Sequence, residues 1–139
     1  MTRLVVDASV VVKWFLPEVL AEAALRVAEG EHQFLAPELL GAEFISALGK
    51  KSRRGEIEAA AAVRMLDDFS RVAIGFYPLM PLLPAAFAMA AAAGHSVYDC
   101  LYLTLAERED SPVVTADRRF HAAFAGGQLG HRILWVEAL

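Results

Sequence analysis

Four carboxylates in this sequence are, taken together, better explained by one shared site than by four separate structural duties. Asp7 follows the apolar run Leu4-Val5-Val6, and Asp117 follows Val113-Val114-Thr115-Ala116. Glu43 interrupts an apolar helical face beside Leu39, Leu40 and Phe44, and Asp99 stands in the first turn of a later helical segment. Burying an isolated carboxylate is costly or forces it to take up a proton, so acids in apolar surroundings need a partner or a cation. No lysine or arginine lies at helical pairing distance from Glu43 or Asp99. Carboxylates without basic partners suit a hard divalent cation, Mg²⁺ or Mn²⁺, which takes oxygen ligands and keeps several waters.

Each acid also has an ordinary reading. Asp7 or Ser9 fits a helix N-cap, and Asp99 fits a first-turn partner of the helix dipole. Asp117, just before Arg118 and Arg119, fits a turn residue or half of a surface ion pair. Glu43 is the exception, because a mid-helix carboxylate among large apolar residues has no capping duty. One shared site is more economical than four separate accidents.

For these acids to meet, the chain must deliver them to one edge. Leu4-Val5-Val6 is a continuous, β-branched run, the pattern of a strand buried on both faces of a parallel sheet. Helices are predicted over Ser9–Leu16, up to Pro17, and over Val19–Ala28, before Gly30. Phe34–Ala36 reads as a second strand. Pro37 then reads as a first-turn residue of a helix through Leu39, Glu43 and Leu48 that closes after a basic tail near Gly55. Ile57–Phe69 reads as a helix, Val72–Tyr77 as a strand, and Pro84–Ala93 as a helix stopped by Gly94. Ser96 and Asp99 have capping-box spacing ahead of a helix over Cys100–Ala106. Pro112–Thr115 and Arg132–Val136 complete the strands. Strands alternating with helices predict an α/β three-layer sandwich around a mainly parallel central sheet of about five strands. In such sheets the ligand crevice lies beyond the carboxyl ends of the strands, where Asp7 and Asp117 emerge.

Composition bounds the rest. At 139 residues the chain is expected to be one domain, 1–139, and 57% hydrophobic residues with 22% charged place it far from disorder. The single Cys100 and four scattered histidines argue against disulfides and structural zinc. A net charge of −4 predicts no general attraction to polyanions, so any such binding needs a local patch or a metal. The stretch from Val72 to Tyr98 has no charged residue, yet Pro78, Pro81 and Pro84 block a continuous membrane helix. Asp7 interrupts the apolar N-terminal run, against a signal peptide, and a cytoplasmic protein without membrane contact is expected.

Four segments together resemble a known family. Leu4-Val5-Val6-Asp7-Ala8-Ser9, Pro37-Glu38-Leu39-Leu40-Gly41-Ala42-Glu43, Val97-Tyr98-Asp99-Cys100-Leu101-Tyr102-Leu103 and Val114-Thr115-Ala116-Asp117-Arg118-Arg119-Phe120 look like the PIN domain in order and spacing. Within that family the chain is most similar to the VapC toxins of bacterial type II toxin–antitoxin pairs. The resemblance covers nearly the whole chain. It implies a metal-dependent endoribonuclease using one or two Mg²⁺ or Mn²⁺ ions, with Asp7, Glu43, Asp99 and Asp117 as the catalytic, metal-binding acids. Ser9 and Thr115 match the small hydroxyl positions beside them. A homodimer and an antitoxin covering the acid pocket are implied by the family as well. Cys100 stands where a small residue, often alanine, is usual. Metal-assisted hydrolysis requires no histidine, and His32, His95, His121 and His131 are expected at surface or loop positions, His95 drawing notice because it precedes the Asp99 helix.

An acidic site must still attract RNA. Lys50 and Arg54 lie seven and eleven residues beyond Glu43, so on a helix each falls within ~20° of its stripe, Lys50 about 10 Å along the axis. They are expected to guide phosphates, joined by Lys13, Arg118 and Arg119, although cations at a helix end are also ordinary. Trp14, Phe15, Phe76, Tyr77 and Leu79 are candidates for a subunit contact, with core packing the commoner role. Three competitors are an RNA-processing PIN nuclease without an antitoxin, a non-catalytic PIN-fold module binding RNA or protein, and a phosphoacceptor receiver domain. The receiver lacks support, because Asp7 has no adjacent acid and arginines replace its late lysine.

Overall fold

Successive residues of a strand point to opposite faces, and Leu4, Val5 and Val6 are all sealed from solvent, so β1 (Thr2–Val6) is covered on both sides. The structure, a computed structural model, describes residues 2–139. After β1 come α1 (Ala8–Phe15), α2 (Ala21–Glu29), β2 (His32–Pro37), α3 (Leu39–Arg53), α4 (Ala59–Phe69), β3 (Ile74–Tyr77), α5 (Leu83–Ala93), α6 (Val97–Arg108), β4 (Val113–Thr115), α7 (Arg118–Ala125) and β5 (Ile133–Trp135). The strands form one sheet in the order β3-β2-β1-β4-β5, and every neighbouring pair is parallel.

This order puts a topological switch point between β1 and β4. The chain leaves β1 for β2 on one side, while β4 sits on the other and leads outward to β5. In open parallel sheets a ligand crevice forms at that point, beyond the carboxyl ends of the strands. Asp7 follows β1 directly and Asp117 follows β4 by one residue, so the fold itself brings these two acids to the crevice.

Helix α6 is the pivot of the core. Cys100 through Ala106 are all buried, the signature of a helix apolar on every side, and α6 packs against β1, β2, β4 and α5. Ser96 caps it by accepting the Tyr98 amide at 3.2 Å. Helix α5 ends at Gly94 with φ +62°, a left-handed residue that lets the chain reverse into α6. The His95 amide then returns to the Ala90 carbonyl at 3.1 Å.

Two expectations are corrected. Pro37 closes β2 rather than opening α3: its register with Tyr77 extends the β2–β3 ladder, and the helix starts at Leu39. Proline, with no N–H to offer, is tolerated at such a strand end. Helix α7 was not anticipated at all, although Asp117 as N-cap and Phe120 with Phe124 one turn apart form a short amphipathic signal. Of the aromatic candidates for a subunit contact, Trp14 and Phe15 pack on the core, and the Trp14 indole donates to the Ala24 carbonyl at 2.8 Å. The Tyr77 hydroxyl donates to Glu109, and Phe76 stays exposed. No single helix is long and apolar enough to cross a membrane.

Glu43 depends on the packing of the residue beside it. Phe44 is fully buried, stacked on Phe69 at 4.2 Å between ring centroids and met edge-on by Phe15 at 5.1 Å. Phe44→Ala should therefore lower unfolding stability by about 3–5 kcal/mol in denaturant titration. A loss under about 1 kcal/mol would show that α3 is held by something else.

Candidate metal centre

Asp7 occupies the N-cap position of α1 but does not cap it. Its backbone carbonyl accepts the Val10 and Val11 amides, while its side chain accepts no backbone amide of the helix among the described residues. The carboxylate turns instead into the crevice. Ser9 Oγ donates to Asp7 Oδ2 at 2.6 Å, and Thr115 Oγ1 donates to the same oxygen at 2.8 Å. These hydroxyls are themselves fixed, Ser9 Oγ accepting the Ala116 amide at 2.9 Å and Thr115 Oγ1 the Asp117 amide at 3.0 Å. Among the described residues no donor reaches Oδ1, so one oxygen of Asp7 is tied down and the other is left for something else.

The remaining acids face it from other elements. Glu43 projects from α3, where the hydroxyl of the fully buried Tyr102 on α6 donates to its Oε1 at 2.6 Å. Asp99 projects from the first turn of α6, and His95 Nε2 lies 2.7 Å from its Oδ2. Asp117 caps α7, its Oδ1 accepting the Arg119 amide at 2.9 Å and the Phe120 amide at 3.4 Å. His95, Asp99, Asp117 and Arg119 line a cleft of about 640 Å³.

The electrostatics join the acids into a chain. Burial pushes the Asp7 carboxyl up to about 7, against the pull of Ser9 and Thr115, and the charges of Asp99 and Glu43 push the same way. Glu43 is raised by burial and by Asp99, and Asp99 by burial and by Asp117, with Tyr102 and His95 opposing. Among the described residues no lysine or arginine forms an ion pair with any of the four. The donor set is all oxygen, which fits Mg²⁺ or Mn²⁺. No three acid, histidine or cysteine side chains among the described residues close into a single cage. A cation that keeps most of its waters asks for only one or two direct carboxylates, so the fit lies in the chemistry of the donors.

The basic candidates divide. Lys50 and Arg54 are exposed at the end of α3 and form no ion pair among the described residues. Arg119 lies at the cleft. Lys13 is held by Glu18 at 3.2 Å, and the Arg118 guanidinium lies over the Trp135 ring at 4.9 Å. His95 lies in the loop between α5 and α6, as expected, and its largely sheltered ring contacts Asp99 and packs on α7. Tyr102 was overlooked. A tyrosine in a helix buried all round must find a partner for its hydroxyl, and that requirement was the signal.

The PIN domain family matches residues 4–124. This chain is a member of the PIN domain family. Ribonuclease VapC3 of Pyrobaculum aerophilum is 32% identical over 124 residues, 88% of this chain and 95% of that protein. The crystal structure of PAE2754 from Pyrobaculum aerophilum superposes with a TM-score of 0.71 at 26% identity, covering 99% of this chain and 85% of the other. A toxin–antitoxin complex from Klebsiella pneumoniae shares the fold, with a TM-score of 0.63 at 11% identity over 94% of each chain. The PIN architecture of five parallel strands flanked by helices is therefore the architecture of this chain.

The buried acid of the PIN centre makes stability depend on pH. An unfolded aspartate titrates near about 3.9, whereas folded Asp7 titrates at about 7. Between these values the folded state keeps a proton that the unfolded chain has shed, so the metal-free protein loses stability as pH rises from about 4 to about 7. Glu43 and Asp99 shift in the same direction and add to the slope. The Tm of chelator-treated protein should fall across that window, and Asp7→Asn should flatten the slope and raise Tm at pH 8. A Tm that climbs with pH there, unaffected by Asp7→Asn, would contradict the burial.

Proposed function

We propose that this chain, folded as one PIN domain, is a divalent-metal-dependent endoribonuclease and the toxin of a toxin–antitoxin pair. The observation that carries the reading is Asp7, a buried carboxylate with one oxygen held by two hydroxyls and the other without a donor among the described residues. Such a group is expensive in a protein without cations and is relieved by Mg²⁺ or Mn²⁺. Asp7, Glu43 and Asp99 would hold one or two ions, with the uncapped oxygen of Asp117 at the margin. A divalent cation there supplies a water activated near neutral pH and neutralises charge on the phosphoryl oxygens.

The chain's own residues supply position and access. Ser9 and Thr115 fix the rotamer of Asp7, and Tyr102 fixes that of Glu43. Lys50 and Arg54 form the phosphate-guiding track, Arg119 stands at the cleft, and Lys13 and Arg118 are the outlying members of the basic set. The name of Ribonuclease VapC3 supports RNA as the substrate class, and the toxin–antitoxin complex of the same fold supports an antitoxin partner. A homodimer and a cytoplasmic location complete the reading.

Cleavage of RNA by the purified chain should require Mg²⁺ or Mn²⁺ and stop with chelator. Asp7→Asn and Asp99→Asn should each lower it by about two orders of magnitude or more. Cleavage that survives chelator and both substitutions would come from a contaminant and end the proposal.

The track is tested by binding. With Asp7→Asn as the non-cleaving background, adding Lys50→Ala and Arg54→Ala should weaken single-stranded RNA binding. The slope of log affinity against log salt should become shallower by about 0.7 per lost phosphate contact. An unchanged slope would remove both residues from the track.

A further inference from the structure

The His95 ring stands between two parts of the centre that belong to different elements. On one side its Nε2 meets Asp99 Oδ2 at 2.7 Å. On the other it stacks on Phe120 of α7, with 6.0 Å between centroids and 22° between planes, and meets the edge of Phe124 at 5.5 Å and 83°. Its backbone is placed just as firmly, since the left-handed Gly94 turns the chain there and the His95 amide bonds the Ala90 carbonyl. The ring therefore cannot leave Asp99 without losing its packing on the helix that Asp117 caps.

We propose that His95 is the positioning residue for Asp99, donating from Nε2 to Oδ2 so that the other carboxylate oxygen stays aimed into the cleft for the divalent cation. The proposal rests on the reading of the centre as a metal site. Asp99 carries no other side-chain hydrogen bond among the described residues, so without His95 its carboxylate is free to rotate about its terminal torsion. The other acids are treated in the same way. Asp7 has Ser9 and Thr115, and Glu43 has Tyr102. Each is held by a donor that is not itself a ligand. Outer-shell partners of this kind set the orientation of metal-binding groups, and losing one commonly costs ten- to a hundredfold in metal affinity. The ring also joins Asp99 of α6 to Phe120 and Phe124 of α7, beside the cleft that Asp99 and Asp117 line.

The test compares two substitutions by calorimetric titration of the full chain with Mn²⁺, with thermal unfolding of the metal-free proteins alongside. His95→Leu keeps an apolar side chain against Phe120 and Phe124 and removes the donor. His95→Gln keeps a donor near the position of Nε2 and gives up the ring stack. His95→Leu is expected to lower Mn²⁺ affinity about tenfold or more with little change in Tm. His95→Gln is expected to recover most of the affinity despite a lower Tm. Wild-type affinity in His95→Leu would overturn the proposal, and so would equal losses in the two variants, which would mark a packing role. Absence of Mn²⁺ binding by the wild type would overturn this proposal together with the metal reading. Normal wild-type binding with an unaffected His95→Leu would overturn this one alone.

Discussion

A carboxylate placed at the end of a fully covered parallel strand has lost its water and must find other company. Asp7 is in that position because β1 is buried on both faces and ends at the switch point of the sheet. Two hydroxyls satisfy one of its oxygens, which is enough to fix its direction and not enough to settle its charge. The acids around it add negative charge, and among the described residues no lysine or arginine pairs with any of them. An ion pair would have stabilised the fold and closed the site to a cation. Leaving the charge uncompensated instead costs stability that a bound cation would return, a trade of stability against function that protein sites commonly make.

Helix α6 shows how rigidity and chemistry are combined. As the most buried helix it touches three strands, so its residues have little freedom to shift. Asp99 stands at its exposed first turn and Tyr102 one turn further in, within the core. The hydroxyl of Tyr102 crosses to Glu43 on α3, which ties together the two helices that carry Glu43 and Asp99. Phe44, next to Glu43, anchors α3 from the opposite side through its stack on Phe69. A site built on such elements holds its side chains more tightly than one built on loops.

Much of this was legible in the amino-acid sequence because the strongest signals were local. The β-branched run before Asp7, the Gly94 stop and the Ser96 cap each depend on a few neighbouring residues, and each element formed where those signals put it. Pro37 misled because its preference for a helix start is weaker than the ladder that β2 makes with β3, a contact between distant segments. The orientation of Asp7 away from α1 could not be read either, since a residue that occupies an N-cap position and one that caps differ only in side-chain direction. The contacts of Tyr102 and of the His95 ring are hidden for the same reason. Their partners are reached through side-chain torsions and through the packing of α6 against α3 and α7, which no periodicity encodes.

The separation of acids from bases resolves how a chain of net charge −4 could handle RNA. Ions in the cell screen exposed charges over about 8 Å. Lys50 lies about 10 Å along α3 from Glu43 by helical rise, so on the exposed end of the helix its attraction for phosphate is largely independent of the acids. The acids, being partly buried, are screened less and act on each other at full strength. A bound cation would then cancel their repulsion at the one place where a phosphate must approach them. In the proposed reading, attraction and chemistry would thus fall to opposite ends of one helix, and the metal would govern only the second.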